Sequence, residues 1–308
     1  MRTTGGIVAM AVALGVASCG AGADRSRDAG GELSGMDQPS GVDGDLGQAR
    51  ETVGELPLAD SRADVGDGER SPATEVTTEM PAGLSPEQSG NEVTPSCPSG
   101  MVLVEETFCI DRWEATLEEQ GNDGQWIAAA PWYTVGDRTV RAVTAEGLVP
   151  QGYMSGAQAA AACEASGKRL CTSEEWLTAC RGPAGQVYPY GNEHQAGACN
   201  DDCPFHPVVE YFGTTEGIWD AEHMNDPGIN QQPGTLSPAG AHPLCVSSWG
   251  AFDMHGNLHE WVADAEGSFR GGFYADGSIN GPGCTYLTTA HDSAYHDYST
   301  GFRCCLTP

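Results

Sequence analysis

The chain has 308 residues and a formal net charge of −29. Such an acidic chain repels nucleic acid and anionic lipid surfaces, and no basic patch offsets the charge, so we expect no nucleic-acid partner. Phe108 is the first aromatic residue, which places the large side chains of a core in the last two thirds of the chain.

The N-terminus is typical of an export signal. Arg2 precedes an apolar run at about 7–16 that is too short to span a bilayer. The run ends in small residues followed by Cys19, which resembles the lipobox of bacterial lipoproteins. Cleavage after residue 18 would leave an acylated Cys19 that anchors the protein in the lipid bilayer. The alternative is an ordinary secretory signal with an incidental cysteine. Gly20, rather than Asp, favours the outer membrane, facing the periplasm or the cell surface.

Residues 19–96 are rich in Gly, Ser, Pro and acidic residues and show no apolar periodicity. A segment of this composition cannot bury enough apolar surface to offset the entropy of ordering. We therefore interpret it as a disordered acidic stalk.

The sequence contains 12 cysteines. An exported chain meets an oxidising compartment, so most of them should form disulfides. If Cys19 carries lipid, eleven remain. An odd number means that at least one thiol is free, modified or paired between chains.

The folded domain is predicted at 97–308. It opens with two strand-like segments, 101–105 and 108–111, joined by a short turn. This pattern favours a hairpin, with Cys97 bonded to Cys109 across it.

Two helices are signalled by capping boxes. Ser155 and Gln158 start the first, and Thr172 and Glu175 start the second. After residue 182, Gly and Pro are so frequent that short strands and ordered loops should dominate.

Five segments of this domain together resemble the signature blocks of the formylglycine-generating-enzyme family, also called sulfatase-modifying factors. They are GKRLCTSEEW at 167–176, YPYGN at 188–192, GAFDMHGNLHEW at 250–261, RGG at 270–272 and GFRC at 301–304. Cys171 stands where the family has Pro. Each block alone is a weak signal, but five in the family order make a specific match that covers the folded domain only.

The resemblance implies an irregular, loop-rich α+β fold, similar to an elaborated C-type lectin domain and stapled by disulfides and calcium. It also implies a bridge between Cys163 and Cys304. Cys180 matches a family disulfide cysteine whose usual partner is absent, so Cys284, Cys245 or Cys305 are its alternatives. Independently of the family, Cys199 and Cys203 are close enough in sequence to close a local loop.

Calcium is the cofactor that the resemblance implies most directly. The family site corresponds to the side chains of Asp253 and Glu260 and the carbonyl groups of Gly256 and Leu258, and oxygen donors suit this ion. A second family site begins at an Asn-containing pair that Asn200 and Asp201 match. The competing interpretation is that these are hydrogen-bonded loop residues without an ion.

Catalysis is where the match fails. The family's oxidases convert a substrate cysteine to formylglycine with two thiolates that hold Cu(I), and both follow the RGG block. Here Cys284 alone follows it closely, while Asp276 or Ile279 stands in the position of the first cysteine. Cys284 is therefore either a residual catalytic thiol or a structural disulfide partner.

Histidines offer a second possible metal chemistry. His255 and His259 have the spacing of a helical zinc motif, but the Gly-Asn pair between them argues against a helix. His291 and His296 form a denser cluster that, with Cys284, would suit a transition metal. The competing interpretation is that these polar residues line a loop.

The sequence leads us to expect an envelope lipoprotein whose domain lacks the copper-binding pair and binds a peptide or another envelope component. The alternative is an oxygen-dependent oxidase of the formylglycine-generating type, with copper or another metal. A third possibility is a purely structural envelope protein. Whether the chain is an enzyme stays open at this level.

Overall fold

The computed structural model describes residues 96–264 and 267–308. The proposed signal peptide, Cys19 and the stalk up to residue 95 lie outside this part. The described residues form β1 (Met101–Val104), β2 (Phe108–Asp111), β3 (Thr116–Gln120), β4 (Trp126–Ala128), β5 (Val140–Val143), α1 (Gly156–Ala165), β6 (Arg169–Leu170), α2 (Ser173–Arg181), α3 (Pro207–Phe212), α4 (Ala221–Met224), β7 (His259–Val262), β8 (Ser268–Arg270), β9 (Leu287–Thr288), β10 (Thr300–Phe302) and β11 (Cys304–Leu306). Single 3-10 turns occur at Ile229–Gln231 and Gly283–Thr285.

The strands form three small sheets. Their orders are β1-β2-β11-β6, β10-β7-β8-β9 and β4-β3-β5. In the first sheet, the predicted β1–β2 hairpin accepts the C-terminal strand as a neighbour. In the second, β7 pairs with β10 in parallel and with β8 antiparallel. The domain is therefore the irregular α+β fold that the sequence predicted.

Both predicted capping boxes are present. The Ser155 hydroxyl accepts from the backbone of Gln158, and the Gln158 side chain accepts from the backbone of Ser155. Thr172 and Glu175 make the same reciprocal pair at α2. Each box satisfies two backbone N–H groups that have no partner within the helix.

The described residues contain five disulfides, which span between 12 and 141 residues of sequence. They are Cys97–Cys109, Cys163–Cys304, Cys171–Cys305, Cys180–Cys284 and Cys199–Cys245. Three of them close loops of more than 100 residues, and in the chain-entropy model such loops give the largest stabilisation, about 4 to 5 kcal/mol each. These bridges compensate for the scarcity of long helices and strands.

The core consists of three apolar clusters rather than one layer. Trp261 and Phe302 lie in the first, next to α1, and Trp176 lies in the second, under the β1–β2 hairpin. Tyr274 and Tyr298 lie in the third, with the 3-10 turn at Ile229–Gln231. The 250–261 block runs between these clusters, so its polar side chains are enclosed by the core. Within the part of the chain that is described, no helix combines the length and apolarity required to cross a membrane.

Candidate functional site

The 253–260 segment makes an unusual turn. Asp253, Gly256 and Asn257 all have positive φ, at 56°, 76° and 59°. A Cβ atom at Gly256 would lie 2.1 Å from the carbonyl oxygen of Asn200, so only glycine allows these two segments to touch. Residues other than glycine rarely adopt this backbone conformation, and such strain is concentrated at ligand-binding sites.

Three carboxylates and one guanidinium are buried beside this turn. Glu114, Asp253 and Glu260 are 2%, 4% and 1% exposed, and Arg303 is 1% exposed. Arg303 donates to both oxygens of Glu260, over 2.5 and 2.6 Å, and the Trp176 indole donates to the same carboxylate over 2.7 Å. One cation therefore faces three potential anions.

Burial raises the pKa of two of these carboxylates, Asp253 and Glu114. Burial raises the pKa of Asp253 to about 7. Burial also raises the pKa of Glu114, and the neighbouring Asp253 and Glu260 carboxylates add to this effect. A bound cation would favour the charged forms, because opposite charge offsets the cost of desolvation.

Calcium prefers oxygen donors of the kind present here, from carboxylate side chains and backbone carbonyl groups. The four expected groups, Asp253, Gly256, Leu258 and Glu260, belong to the one turn. Among the described residues, none donates a hydrogen bond to the carbonyl oxygen of Gly256 or Leu258, so both are available as ligands. Glu260 accepts two hydrogen bonds from Arg303 and one from Trp176, which leaves one of its roughly four acceptor sites, on Oε1, for a monodentate contact. Glu114 was missed by sequence reasoning because it precedes this turn by about 140 residues.

The side chains of Asn200 and Asp201, the pair expected at a second calcium site, have different neighbours. The Asn200 side-chain amide donates to the carbonyl oxygen of Thr235 and to Asn257 Oδ1, over 3.0 and 2.9 Å. The Asp201 carboxylate faces the imidazoles of His194 and His255. Nitrogen donors do not suit calcium, which prefers oxygen.

The structure does not support Cys284 as a catalytic thiol. Its sulfur is bonded to Cys180 with a Cα–Cα distance of 5.6 Å, and both residues are fully buried. A disulfide sulfur carries no thiolate with which to bind Cu(I). Of the three alternatives for Cys180, Cys284 is therefore the partner. The proposed Cys199–Cys203 loop is wrong, because Cys199 bonds to Cys245. Cys203 is buried and lies outside the five bridges.

His291 and His296 are not assembled with Cys284 into a metal site. The His291 ring stacks on Tyr295, with 3.7 Å between ring centroids. The Nδ1 of His296 is 2.7 Å from Asn225 Oδ1. Each histidine therefore has a separate partner. The prediction of a transition-metal site at His291, His296 and Cys284 was wrong, because residues that are close in the sequence of a loop can point in different directions.

A different cluster is present that the sequence did not reveal. His194, Asp201 and His255 place one potential ligand atom each within 4.8 Å of one another, and they form the one group of this kind found among the described residues. His255 lies in the turn and His259 in β7, so these two do not form the helical zinc motif.

The comparison with protein families gives a decisive match. Residues 80–306 match the model of the sulfatase-modifying factor enzyme 1-like domain. This chain belongs to that family. The family match covers all the described elements, so the three-sheet fold above is this family's fold as it occurs here.

Individual relatives match over part of the chain. It is 31% identical over 169 residues to the inactive C-alpha-formylglycine-generating enzyme 2 of Mus musculus, which covers 51% of this chain and 48% of the relative. It is 29% identical over 164 residues to the formylglycine-generating enzyme of Bos taurus, which covers 49% and 39%. The chain thus spans about half or less of the length of these relatives. A solved structure titled "Crystal Structure of CarF" aligns with a TM-score of 0.39 and 18% identity, over 65% of this chain and 86% of that one.

Proposed function

We propose that this protein is a binding member of the sulfatase-modifying factor family that does not carry out the copper-dependent oxidation. The Cys180–Cys284 disulfide carries this proposal. Ten of the eleven cysteines from Cys97 onward lie in disulfides, so two neighbouring thiolates cannot form in the oxidised domain. A linear Cu(I) site needs two soft ligands of that kind. One curated relative is itself named inactive, which agrees with this proposal.

The ligand that we propose is a peptide segment or another envelope component. A cleft of about 450 Å³ lies between α1 and β7 and offers an apolar lining from Leu170, Trp261 and Val262. Gly156 and Ala157 line the helix side of the cleft, and their small size leaves room there for a ligand. An apolar cleft with few polar groups suits side chains of an extended peptide.

A substitution that fills the cleft with a large side chain tests whether ligands bind there. Ala157 is exposed and lines the cleft, so Ala157→Trp should block it without disturbing the core. Ala165→Trp, at the exposed far end of α1, is the matched control. Peptides selected from a displayed library against the wild-type protein should lose binding to the first variant and keep binding to the second. Equal binding to all three proteins would refute the cleft as the binding site.

The oxidase question is tested directly with the exported protein. It is incubated with copper, oxygen and a cysteine-containing sulfatase-type peptide, with the bovine formylglycine-generating enzyme as positive control, and the peptide is analysed by mass spectrometry. We expect conversion by the control and none by this protein. Copper-dependent conversion would contradict the proposal and favour the oxidase alternative.

We also propose that the domain works at the outer membrane, anchored by an acylated Cys19. The five disulfides support export, because such bridges persist in oxidising compartments. Labelled fatty acid should be incorporated into the wild-type chain and not into Cys19→Ser, which should leave the membrane fraction. Unchanged membrane association of that variant would refute the anchor.

Calcium is the cofactor that we propose for the turn at 253–260. It would compensate the surplus of buried carboxylates around Arg303. Calcium in excess should raise the melting temperature of the chelator-treated protein, and Asp253→Asn should remove most of that increase. An identical increase in the variant would place the ion elsewhere.

A further inference from the structure

Two imidazoles and a carboxylate converge next to the YPYGN block. The Nε2 atom of His194 is 2.8 Å from Asp201 Oδ2, and the Nε2 atom of His255 is 2.9 Å from the same oxygen. The side chains of Asp201 and His255 are 4% and 1% exposed, whereas that of His194 is 42% exposed. The cluster is thus built into the protein on two sides and open to solvent on the third.

The two ring nitrogens of His255 face different partners. Its Nδ1 is 3.2 Å from the carbonyl oxygen of Gly271, which can only accept, so Nδ1 carries the hydrogen. The Nε2 atom is then the ring nitrogen that can act as a metal ligand, and it faces Asp201 Oδ2 at 2.9 Å.

The Asp201 carboxylate supplies an independent sign of a missing ligand. Its Oδ1 atom is buried and has no hydrogen-bond partner among the described residues. Leaving a buried carboxylate oxygen unsatisfied is costly, whereas a cation bound at the carboxylate would offset that cost.

We propose that His194, Asp201 and His255 form a binding site for a divalent transition-metal ion of the zinc or iron(II) class. Metal–nitrogen and metal–oxygen bonds of about 2.1 Å put neighbouring ligand atoms about 3.0 Å apart in octahedral and about 3.4 Å apart in tetrahedral geometry. The observed separations of 2.8 and 2.9 Å need to open by about 0.1 to 0.2 Å for the octahedral geometry and by about 0.5 to 0.6 Å for the tetrahedral one. Two imidazoles and one carboxylate exclude calcium as the preferred ion and suit zinc or iron.

The surroundings hold the ligands in place. The Nδ1 contact of His255 with the Gly271 carbonyl is the outer-shell bond that fixes a metal-binding imidazole. A Cβ atom at Gly277 would lie 2.6 Å from His255 Cε1, so the ring is closely packed from that side. The ring of Tyr188 contacts both imidazoles, with centroids 5.6 Å from His194 and 5.2 Å from His255.

The exposed side of His194 gives the site its open position. Sites with three protein ligands keep a further position for water or an exchangeable ligand. The metal is therefore accessible to a small molecule or to a side chain of a bound partner.

Zinc binding to the exported, chelator-treated protein is the test, measured with excess calcium so that oxygen-ligand sites are saturated. Changing an outer-shell partner typically lowers metal affinity 10- to 100-fold, so removal of a direct ligand in His194→Ala should cost at least about tenfold. His223→Ala is the matched control: His223 is 34% exposed and pairs with Asp220 over 2.8 Å, without a third ligand. Its zinc affinity should equal that of the wild type.

A second variant separates metal binding from folding. Asp201→Asn keeps the shape of the side chain and removes the charge, and it should also weaken zinc at least about tenfold. Cobalt(II) should give a visible absorption band in the wild type that is absent from both site variants. Absence of zinc and cobalt binding by the wild type, or equal zinc affinity in wild type, His194→Ala and Asp201→Asn, would overturn the proposal.

Discussion

Arg303 should be the most sensitive charged residue of the domain. Its guanidinium donates to both Glu260 oxygens and to the carbonyl oxygens of Asp111 and Phe252, over 3.1 and 2.9 Å. Arg303→Gln would leave Glu260 buried, with the Trp176 indole as its remaining hydrogen-bond donor. Breaking a buried ion pair from one side costs about 3 to 5 kcal/mol. For a domain of this size that corresponds to a melting temperature lower by about 6 to 20 °C.

The assay is urea unfolding followed by tryptophan fluorescence, since Trp176 and Trp261 are buried in the native state. Chelator is included so that bound cations do not mask the loss. Arg141→Gln is the control, because Arg141 pairs with Glu118 over 2.6 Å and lies over the Trp126 ring at the surface, and contacts of these kinds contribute about 0 to 1 kcal/mol each. A loss below about 1 kcal/mol in Arg303→Gln would refute the argument that this cation neutralises a buried acidic cluster.

Three further predictions concern stability. Burial lowers the pKa of His259 to about 3, so below its unfolded value of 6.5 the unfolded chain binds a proton that the folded chain does not. The free energy of unfolding of the wild type should therefore fall by about 2 kcal/mol between about pH 7 and about pH 5. In the His259→Phe variant this part of the decrease should be absent, and urea titrations of both proteins at each pH measure the difference. Thr172→Ala removes the capping box of α2 and should cost about 1 kcal/mol in the same assay; no loss would show that the cap is not stabilising. Gly256→Ala should cost more than about 3 kcal/mol, because its Cβ would meet the Asn200 carbonyl, whereas Gly197→Ala, at the same φ of 76° with open space around it, should cost about 1 kcal/mol. Equal losses for the two glycines would refute the close approach at Gly256.

Local features of the fold could be predicted from the sequence because their signals are local. The capping boxes at Ser155 and Thr172 and the β1–β2 hairpin each depend on residues within a short window, and all three are present. The Cys163–Cys304 bridge, across 141 residues, followed from the family resemblance, and the structure forms it.

Neither the position of Glu114 beside the turn nor the cluster of His194, Asp201 and His255 could be predicted in this way, because their contacts are long-range. Glu114 reaches the turn at 253–260 across more than 140 residues, and Asp201 reaches His255 across 54. No periodicity or spacing marks such pairs in Gly-rich loops. Cys171 bonds to Cys305 for a similar reason, since β11 lies between β2 and β6 and brings the two ends of the domain together.

We infer that the domain holds Cys284 in a structural bridge and therefore lacks the thiolate pair of the oxidases. Peptide mapping under non-reducing conditions, after alkylation of accessible and buried thiols in denaturant, tests it most directly. We predict a disulfide-linked peptide pair containing Cys180 and Cys284, with neither cysteine alkylated. Recovery of alkylated Cys284 from the exported protein would show that this thiol is free in the native domain and would favour the oxidase function.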